Sequence, residues 1–266
     1  MAKDLAARRA AFRALHEEGC FLLPNPWDVG SAVRLARMGF KALASTSSGL
    51  AWSMGREDGE VSRDEVLAHL RVLCGATELP VNADFEAGFA DSPEGVAANV
   101  ALAVQTGVAG LSIEDRIGGE LYELALAEER MRAAREAIDG SGQDVLLVGR
   151  SEGYLIGRTG LDATTERLVA YANAGADSLY APGMRNLNEI AAVVKAVAPK
   201  PVNVLLLGPD MRVADLAGVG VRRVSVGGGL AAAAWAGFDR AAQMLINEGM
   251  VPARGEGVLG LGGRTN

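Results

Sequence analysis

Two acidic side chains occupy alternate positions near the end of a segment that has the composition of a buried strand. The segment PVNADFEAGFA covers residues 80–90 and contains Asp84 and Glu86. Because side chains alternate across a strand, Asn82 shares a face with these acids and Phe85 points to the other face. Buried carboxylates repel each other and are costly without a positive charge between them. The pattern therefore predicts that something positive lies beside these acids.

Two further segments place charged side chains in the same alternating phase. Glu114 lies near the end of GLSIED, and Arg150 lies near the end of VLLVGRSE. Each residue alone has a structural explanation, because acids at strand ends often cap the next helix or form an ion pair. Three acids and one arginine that converge at the same ends of neighbouring strands instead favour a bound divalent cation. Carboxylate oxygens with no His or Cys nearby in the sequence suit Mg²⁺ or Mn²⁺ better than zinc.

The elements that must position these residues form a regular series. Short apolar runs alternate with Ala-rich segments whose apolar residues recur every three or four positions. Strands are predicted at 20–25, 42–46, 80–86, 110–115, 145–152, 177–183, 201–207 and 222–228. Helix candidates include 31–39, 62–77, 92–107, 127–138, 164–175 and 231–249.

Eight strands alternating with helices predict an α/β fold of the (β/α)8 TIM-type barrel class. A doubly wound open sheet is the alternative, but NPWDVGSA after the first strand lacks the usual glycine fingerprint. A single barrel domain is expected over residues 1–245, followed by an irregular C-terminal tail over 246–266. Chemistry in such barrels lies at the strand ends. His16 and His69, both on predicted helices, are therefore expected to be surface or packing residues.

Composition narrows the classes of partner. The 266 residues carry a formal net charge of -7 with dispersed Lys and Arg, which argues against nucleic acid and anionic membranes as partners. No apolar run reaches the roughly 20 residues of a membrane span. The chain has two cysteines, Cys20 and Cys74, and its start lacks the apolar core of a signal peptide. A cytoplasmic location is the default expectation.

Taken together, these motifs resemble the isocitrate lyase and phosphoenolpyruvate mutase superfamily. The resemblance runs from LLPNPWDVGSAVRLARMGFKALASTSSGLAWSMGREDGE through PVNADFEAGFA, GVAGLSIEDR and LLVGRSE to GVRRVSVGGG. It implies a barrel whose last helix is exchanged between subunits of a homo-oligomer, either a dimer or a dimer of dimers. It also implies Mg²⁺-dependent making or breaking of C–C or P–C bonds in 2-oxo acids and related carboxylates.

The resemblance also assigns roles to individual residues. Asp84 matches the direct metal ligand, which also faces the substrate, and Asp58, Glu86 and Glu114 match residues that hold metal-bound waters. The substrate-binding positions are matched by Ser48, Gly49, Leu50, Arg150 and, with less support, Asn203. Asp58 and Glu114 are the expected sites of proton handling, and Arg150 is expected to contact the anionic end of the substrate.

The segment after the fourth strand departs from the family pattern. It reads IEDRIGGELYELALAEERM, whereas the lyases carry a Cys in a loop with Lys and His there. The phosphonate enzymes use a basic, Asn-containing gating loop at the same place. The Gly-Gly pair suits either a mobile lid or a tight turn. Tyr122 is either a proton donor from this lid or a packing residue.

The favoured function is a Mg²⁺-dependent lyase or decarboxylase that acts on a small 2-oxo acid or diacid. Oxaloacetate-like and 2-oxoglutarate-like ligands are both considered. Such an acid can chelate Mg²⁺, and the metal stabilises the enolate formed when the neighbouring bond breaks. Two alternatives stay open: a phosphonate enzyme of the mutase or hydrolase type, and a 2-oxo acid binding protein with little catalysis.

Overall fold

A parallel sheet of eight strands curls into a nearly closed barrel in the computed structural model, which describes residues 5–253. In chain order the strands are β1 (Phe21–Leu23), β2 (Leu43–Ala44), β3 (Val81–Asp84), β4 (Gly110–Glu114), β5 (Arg116–Ile117), β6 (Glu120–Leu121), β7 (Leu146–Arg150), β8 (Ser178–Tyr180), β9 (Val202–Leu205) and β10 (Arg223–Ser225). β5 and β6 form an antiparallel hairpin, and the others follow the order β1-β10-β9-β8-β7-β4-β3-β2. The eight predicted strands and the barrel are confirmed, and the open-sheet alternative is wrong.

Helices surround the barrel on its outer side. In chain order they are α1 (Leu5–Ala14), α2 (Val29–Arg37), α3 (Ser47–Ser53), α4 (Arg63–Ala76), α5 (Pro93–Val104), α6 (Leu124–Gly140), α7 (Leu161–Asn173), α8 (Leu187–Ala196), α9 (Val213–Gly218) and α10 (Gly229–Glu248). The six predicted helices correspond to α2, α4, α5, α6, α7 and α10. No helix in the described part of the chain is long and apolar enough to cross a membrane.

Short polar residues at the strand-to-helix turns fix where several helices begin. Before α4, the Ser62 side chain accepts a hydrogen bond from the Glu65 N–H, and the Ser62 N–H donates to the Glu65 carboxylate (3.0 Å). Before α5, Ser92 caps the helix and Pro93 occupies its first turn. These caps satisfy amide groups that the first helical turn leaves unpaired. The loops that carry the polar residues of the barrel mouth are therefore fixed by a strand at one end and by a capped helix at the other.

Side chains along β3 and β4 alternate between the apolar core, which lies between strands and helices, and the inside of the barrel. Ala83, Leu111 and Ile113 face the helices and are at most 1% exposed. Asn82 and Ser112, on the opposite phase, line a cavity inside the barrel. This arrangement confirms the predicted phase, in which the apolar set meets the helices and the polar set points inward. Apolar packing between the strands and the helices therefore stabilises the barrel, while the inward side chains of β3 and β4 are polar.

Helix α1 packs at the amino-terminal end of the barrel. Phe12 is fully buried, and its ring makes edge contacts with His16 and Phe21 at centroid distances of 4.8 and 6.4 Å. The Arg9 guanidinium donates hydrogen bonds to the carbonyl oxygens of Val104 and Val108. His16 is therefore a buried packing residue far from the strand ends, as the sequence predicts.

We expect His16 to make the fold sensitive to acid. Its Nδ1 lies 2.8 Å from the Phe12 carbonyl oxygen, and burial, together with nearby Arg223, lowers the pKa of the imidazole from 6.5 to about 3. The unfolded chain therefore binds the extra proton below about pH 6.5, and folding stability falls as the pH drops from there toward 3. The loss is about 1.4 kcal/mol per pH unit for this one group.

Denaturant unfolding of the wild type and of His16→Gln between pH 7.5 and pH 4 measures this effect. The comparison uses the slope of stability against pH, because the substitution also changes packing. The His16→Gln slope should be shallower below pH 6 and equal above pH 7. Parallel curves over the whole range would contradict the assignment.

The expected division into a barrel domain over residues 1–245 and a tail over 246–266 stays a prediction, whereas the helix predicted over 231–249 is present. Helix α10 continues through Ile246 to Glu248 and ends at Gly249, whose φ of 67° is left-handed. A glycine adopts this conformation without the steric cost of a Cβ, so the helix stops there rather than earlier. The rest of the predicted tail from residue 254 lies outside the described residues.

Candidate active site

The carboxyl ends of the barrel strands surround two adjoining cavities. The first has a volume of about 160 Å³ and reaches from Ser48 and Asp84 at the mouth to Arg223 inside the barrel. The second has a volume of about 360 Å³ and lies beside Glu86 and Glu114. The lining residues common to both are Ser47, Asp58, Arg150 and Leu155.

Arg150, at the end of β7, lies at the centre of an ion-pair network. Its Nη1 is 3.0 Å from Asp84 Oδ1, and its Nε is 3.3 Å from Glu114 Oε2 and 2.6 Å from Glu152 Oε1. Burial alone would lower the pKa of this guanidinium, but Glu114, Glu152 and Asp84 raise it well above its usual value. The Tyr180 ring lies 5.2 Å from the guanidinium carbon. The predicted meeting of acids and arginine is therefore present, and Glu152 is an additional member.

Asp84 connects this network to the segment that contains SSGL. Its Oδ2 accepts a hydrogen bond of 3.0 Å from the Ser47 N–H, while the Ser45 hydroxyl accepts one of 2.8 Å from the Asp84 N–H. Thr46 caps α3 through its hydroxyl, so the segment is the start of a helix rather than an ordinary turn. Asp84 is thereby held at the mouth by the backbone of a neighbouring loop.

Two of the predicted substrate-binding residues do not line the cavities. Ser48 lines the first cavity, but Gly49 and Leu50 turn into the protein as α3 begins and are buried there. A Cβ on Gly49 would lie only 2.6 Å from the Thr46 side chain and 3.0 Å from that of Trp27. The glycine therefore permits close packing at the helix start, and a substrate-binding role for Gly49 and Leu50, through their backbone N–H groups, stays a prediction.

Glu86 reaches the mouth by a different route from the one predicted. β3 ends at Asp84, so Glu86 does not continue the strand alternation; its φ of 46° turns the chain instead. Its carboxylate lines the second cavity with Asp58 and Glu114. Burial, followed by the charges of Asp84 and Asp58, raises the pKa of Glu86 to about 7. Burial also raises the pKa of Glu114, with Arg150 opposing and Glu152 adding to the shift.

The acidic side chains at the mouth are the candidate ligands for the divalent cation that the resemblance implies. Within residues 5–253 no three acidic, His or Cys side chains converge as a preformed metal centre, because the Arg150 guanidinium lies between Asp84 and Glu114. Four acids, Asp58, Glu86, Glu114 and Glu152, nevertheless line the second cavity with two arginines, Arg116 and Arg150, so acids outnumber bases there. Mg²⁺ usually keeps several waters and takes one or two carboxylates directly. The residues therefore fit a Mg²⁺ with a single direct carboxylate, Asp84.

Asn203 lies deeper, on the wall of the first cavity. Its side-chain amide donates to the Ser225 hydroxyl (3.0 Å) and its oxygen accepts from Arg223 Nε (2.9 Å). Arg223 was not singled out from the sequence. The available signal was its position in RRVSV, where strand alternation places Arg223 and Ser225 on the inward face and Val224 on the outward one.

The segment after β4 forms the β5–β6 hairpin at the rim of the second cavity. Arg116 and Gly118 line that cavity, and Arg158 contacts the hairpin through Glu120 Oε1 (2.6 Å). Tyr122 points away from the cavities: its hydroxyl donates to Asp91 Oδ1 (2.6 Å) and its ring lies under the Arg130 guanidinium. Its role is therefore packing, and the proton-donor alternative is not supported by this geometry.

The barrel fold, with its acidic mouth, defines the structural class of the protein, and sequence comparison gives its family. Residues 12–246 match the family model described as phosphoenolpyruvate phosphomutase. The chain belongs to the phosphoenolpyruvate mutase and isocitrate lyase superfamily. Members of this superfamily typically use Mg²⁺ and include lyases and decarboxylases that act on small carboxylic acids.

Three curated relatives illustrate the range of the family. The chain is 34% identical to the uncharacterized protein Rv1998c of Mycobacterium tuberculosis, over 82% of this chain and 81% of that protein. It is 30% identical to 2-methylisocitrate lyase of Escherichia coli, over 66% and 62% of the two chains. It is 27% identical to oxaloacetate decarboxylase of Rhodopseudomonas palustris, over 82% and 77%.

Solved structures agree with the fold. A proposed lyase or mutase from Burkholderia cenocepacia superposes with a TM-score of 0.90 at 47% identity, covering 93% of this chain and 91% of that one. Oxaloacetate acetylhydrolase in complex with its product oxalate superposes with a TM-score of 0.86 at 25% identity, covering 94% and 90%. The TIM-like barrel is therefore common to this chain and both structures.

Proposed function

We propose that the protein is a Mg²⁺-dependent lyase or decarboxylase acting on a small 2-oxo acid or diacid. The observation that carries the proposal is the surplus of carboxylates around the mouth. Asp58, Asp84, Glu86 and Glu114 surround Arg150 there, Arg116 lies at the rim of the second cavity, and the pKa values of Glu86 and Glu114 are raised. A divalent cation relieves such a surplus and is itself a binding group for a 2-oxo carboxylate.

Asp84 is the residue proposed to hold the metal directly, with Asp58, Glu86 and Glu114 around it. When bound, Mg²⁺ would supply a positive charge that stabilises the enolate oxygen formed as the substrate bond breaks. Arg150 keeps Asp84 and Glu114 in place through its ion pairs. Ser47 and Ser48, which begin α3, present polar groups to the carboxylate end of the substrate.

Proton transfer is assigned to the carboxylate oxygens of Asp58 and Glu114. Both line the second cavity, which the β5–β6 hairpin borders and which joins the first at Arg150. General acid–base transfer by a positioned carboxylate contributes about 10² to 10⁴ in rate.

The experiment that tests this function combines calorimetric titration with an assay of product release, using oxaloacetate, 2-oxoglutarate and phosphonopyruvate, each with Mg²⁺ and with excess EDTA. Turnover of a 2-oxo acid that EDTA abolishes is the expected result. Turnover of phosphonopyruvate alone would establish the phosphonate alternative, which the matched family model keeps in view. Metal-dependent binding of a 2-oxo acid without turnover would show that the protein is a binding protein.

We also propose that α10 pairs with a second copy of the chain. Its surface carries exposed apolar side chains, and Phe238 is 62% and Ile246 is 77% exposed. Apolar area of this extent along one helix is unusual for a monomer surface. Pairing in a dimer or a dimer of dimers would bury it, as the family resemblance implies.

The double substitution Phe238→Asp/Ile246→Glu is expected to shift the protein toward the monomer in light scattering at micromolar concentration. Two charges on a buried apolar surface would each remain unpaired, which opposes association. Lys195→Glu, on the distant helix α8, is the matched charge-changing control. A monomeric wild type would show that the pairing is wrong.

A further inference from the structure

The interior of the barrel contains a buried arginine whose partners are all neutral. Arg223 lies on the inward face of β10 and is 2% exposed. Its Nε donates to Asn203 Oδ1 (2.9 Å), and its Nη1 lies 3.4 Å from both Asn82 Oδ1 and His16 Nε2. Among the residues that the structure describes, no carboxylate forms an ion pair with it.

Arg223 differs in this respect from the arginine above it. Arg150 pairs with three carboxylates at the mouth, so its charge is already neutralised. Burial lowers the pKa of Arg223 to about 10, and Tyr180, which lines the same cavity, acts in the opposite direction. An unpaired buried charge is costly and is rarely retained without a compensating partner. The missing partner is an anion.

The first cavity gives such an anion access to Arg223. It is one continuous space whose lining includes Arg223, Asn82 and Asn203 at the inner end and Asp84 at the mouth. Its volume is about 160 Å³. A protein cavity of about 150 Å³ admits a ligand as large as benzene, so this one suits an acid of a few carbons.

We propose that Arg223 is a substrate-binding residue that receives the second carboxylate of a short diacid at the floor of the cavity. The inference rests on the proposed function for the other end of the ligand, where the 2-oxo carboxylate meets Asp84 and its metal. A guanidinium binds a carboxylate through parallel N–H donors and stays charged when buried. Arg223 therefore determines specificity for diacids over monoacids.

The spacing of the two ends favours a chain of about four carbons. Asn82, which contacts Arg223, lies two residues before Asp84 on the same face of β3. Two residues along a strand correspond to about 6.6 Å. The terminal carbons of an extended four-carbon diacid are about 3.8 Å apart, as are consecutive Cα atoms, which are also joined by three bonds. The two lengths differ by about 2.8 Å, roughly one hydrogen bond, so the spacing suits a short diacid better than a long one.

Calorimetric titration with two matched ligands tests the subsite. Malate and 2-hydroxybutyrate both have four carbons and differ in carrying a carboxylate or a methyl group at the fourth, and neither decarboxylates during the measurement. In the presence of Mg²⁺ the wild type should bind malate at least tenfold more tightly than 2-hydroxybutyrate. Arg223→Gln should reduce that preference to less than threefold by weakening malate binding alone.

Two further variants separate binding from structure. Arg222→Gln removes the neighbouring arginine, whose side chain contacts the Gly19 carbonyl oxygen near the surface, and should bind both ligands as the wild type does. Arg223→Lys keeps the charge without the planar fork and should retain an intermediate preference. Arg223→Gln should melt at the same temperature as the wild type or higher, because it removes a buried unpaired charge. A purely structural arginine would instead give lower melting with unchanged malate preference.

The proposal is overturned if Arg223→Gln keeps the wild-type preference, or if the wild type prefers neither ligand. Its failure is distinguishable from failure of the proposed function. If the preference for malate depends on Arg223 but no 2-oxo acid is turned over, the diacid subsite is supported and the lyase function is excluded. If Arg223→Gln turns over oxaloacetate with the same KM as the wild type, the lyase function is supported and the diacid subsite is excluded.

Discussion

Replacing Asp84 by Asn should lower kcat/KM for the 2-oxo acid by about 10³, while the protein stays folded. Asp84 is the carboxylate at the mouth that we propose as the direct metal ligand. A bound divalent cation supplies several kcal/mol of charge stabilisation in the transition state, and each 1.36 kcal/mol is a factor of about ten in rate. An amide of the same shape can still accept from the Ser47 N–H but does not attract the cation.

The measurement is a steady-state assay across a range of Mg²⁺ concentrations, together with thermal unfolding. The substitution removes one charge from a surplus of acids, so the melting temperature should be unchanged or higher. Asp210→Asn is the matched control, because Asp210 pairs with Arg185 at the exposed surface. It should alter kcat/KM less than twofold. Asp84→Asn with wild-type activity and an unchanged Mg²⁺ requirement would exclude Asp84 as the ligand.

Replacing Arg150 by Met should destabilise the protein by about 3 to 5 kcal/mol. Removing one partner of a buried ion pair leaves uncompensated charge. Here Asp84 and Glu114 would lose their cation, and Glu152 would keep only the longer contact with Arg116 (3.9 Å). Glu152 is only 1% exposed, so water cannot replace the guanidinium there. Urea unfolding without added metal measures the difference, since bound Mg²⁺ would offset part of the loss.

Two comparisons identify the cause of that destabilisation. Arg158→Gln breaks the exposed pair with Glu120 and should cost less than about 1 kcal/mol. Adding Glu114→Gln to the Arg150→Met protein removes one of the repelling acids and should recover at least about 1 kcal/mol. A loss below about 1 kcal/mol in Arg150→Met would mean that the acids are already neutral or solvated.

The architecture of the barrel and much of its mouth could be predicted from the amino-acid sequence alone. Apolar runs of strand length alternate with helical periodicity, and because each pattern matches one kind of element, the barrel follows from local preferences. Strand alternation also placed Asp84, Glu114 and Arg150 correctly, since the carboxyl ends of parallel strands meet at one edge of the barrel.

The tertiary structure decided which side chains meet and in what charge state. Arg150 pairs with Asp84 and with Glu114, 66 and 36 positions away, and Glu86 faces the mouth only through a left-handed turn after β3. The role of Arg223 can be inferred only from the residues that surround it in the fold. In the sequence it is one of two adjacent arginines, and in the barrel it is a buried cation without a carboxylate. Periodicity fixes the face on which a residue lies, whereas burial and pairing depend on segments that are distant along the chain.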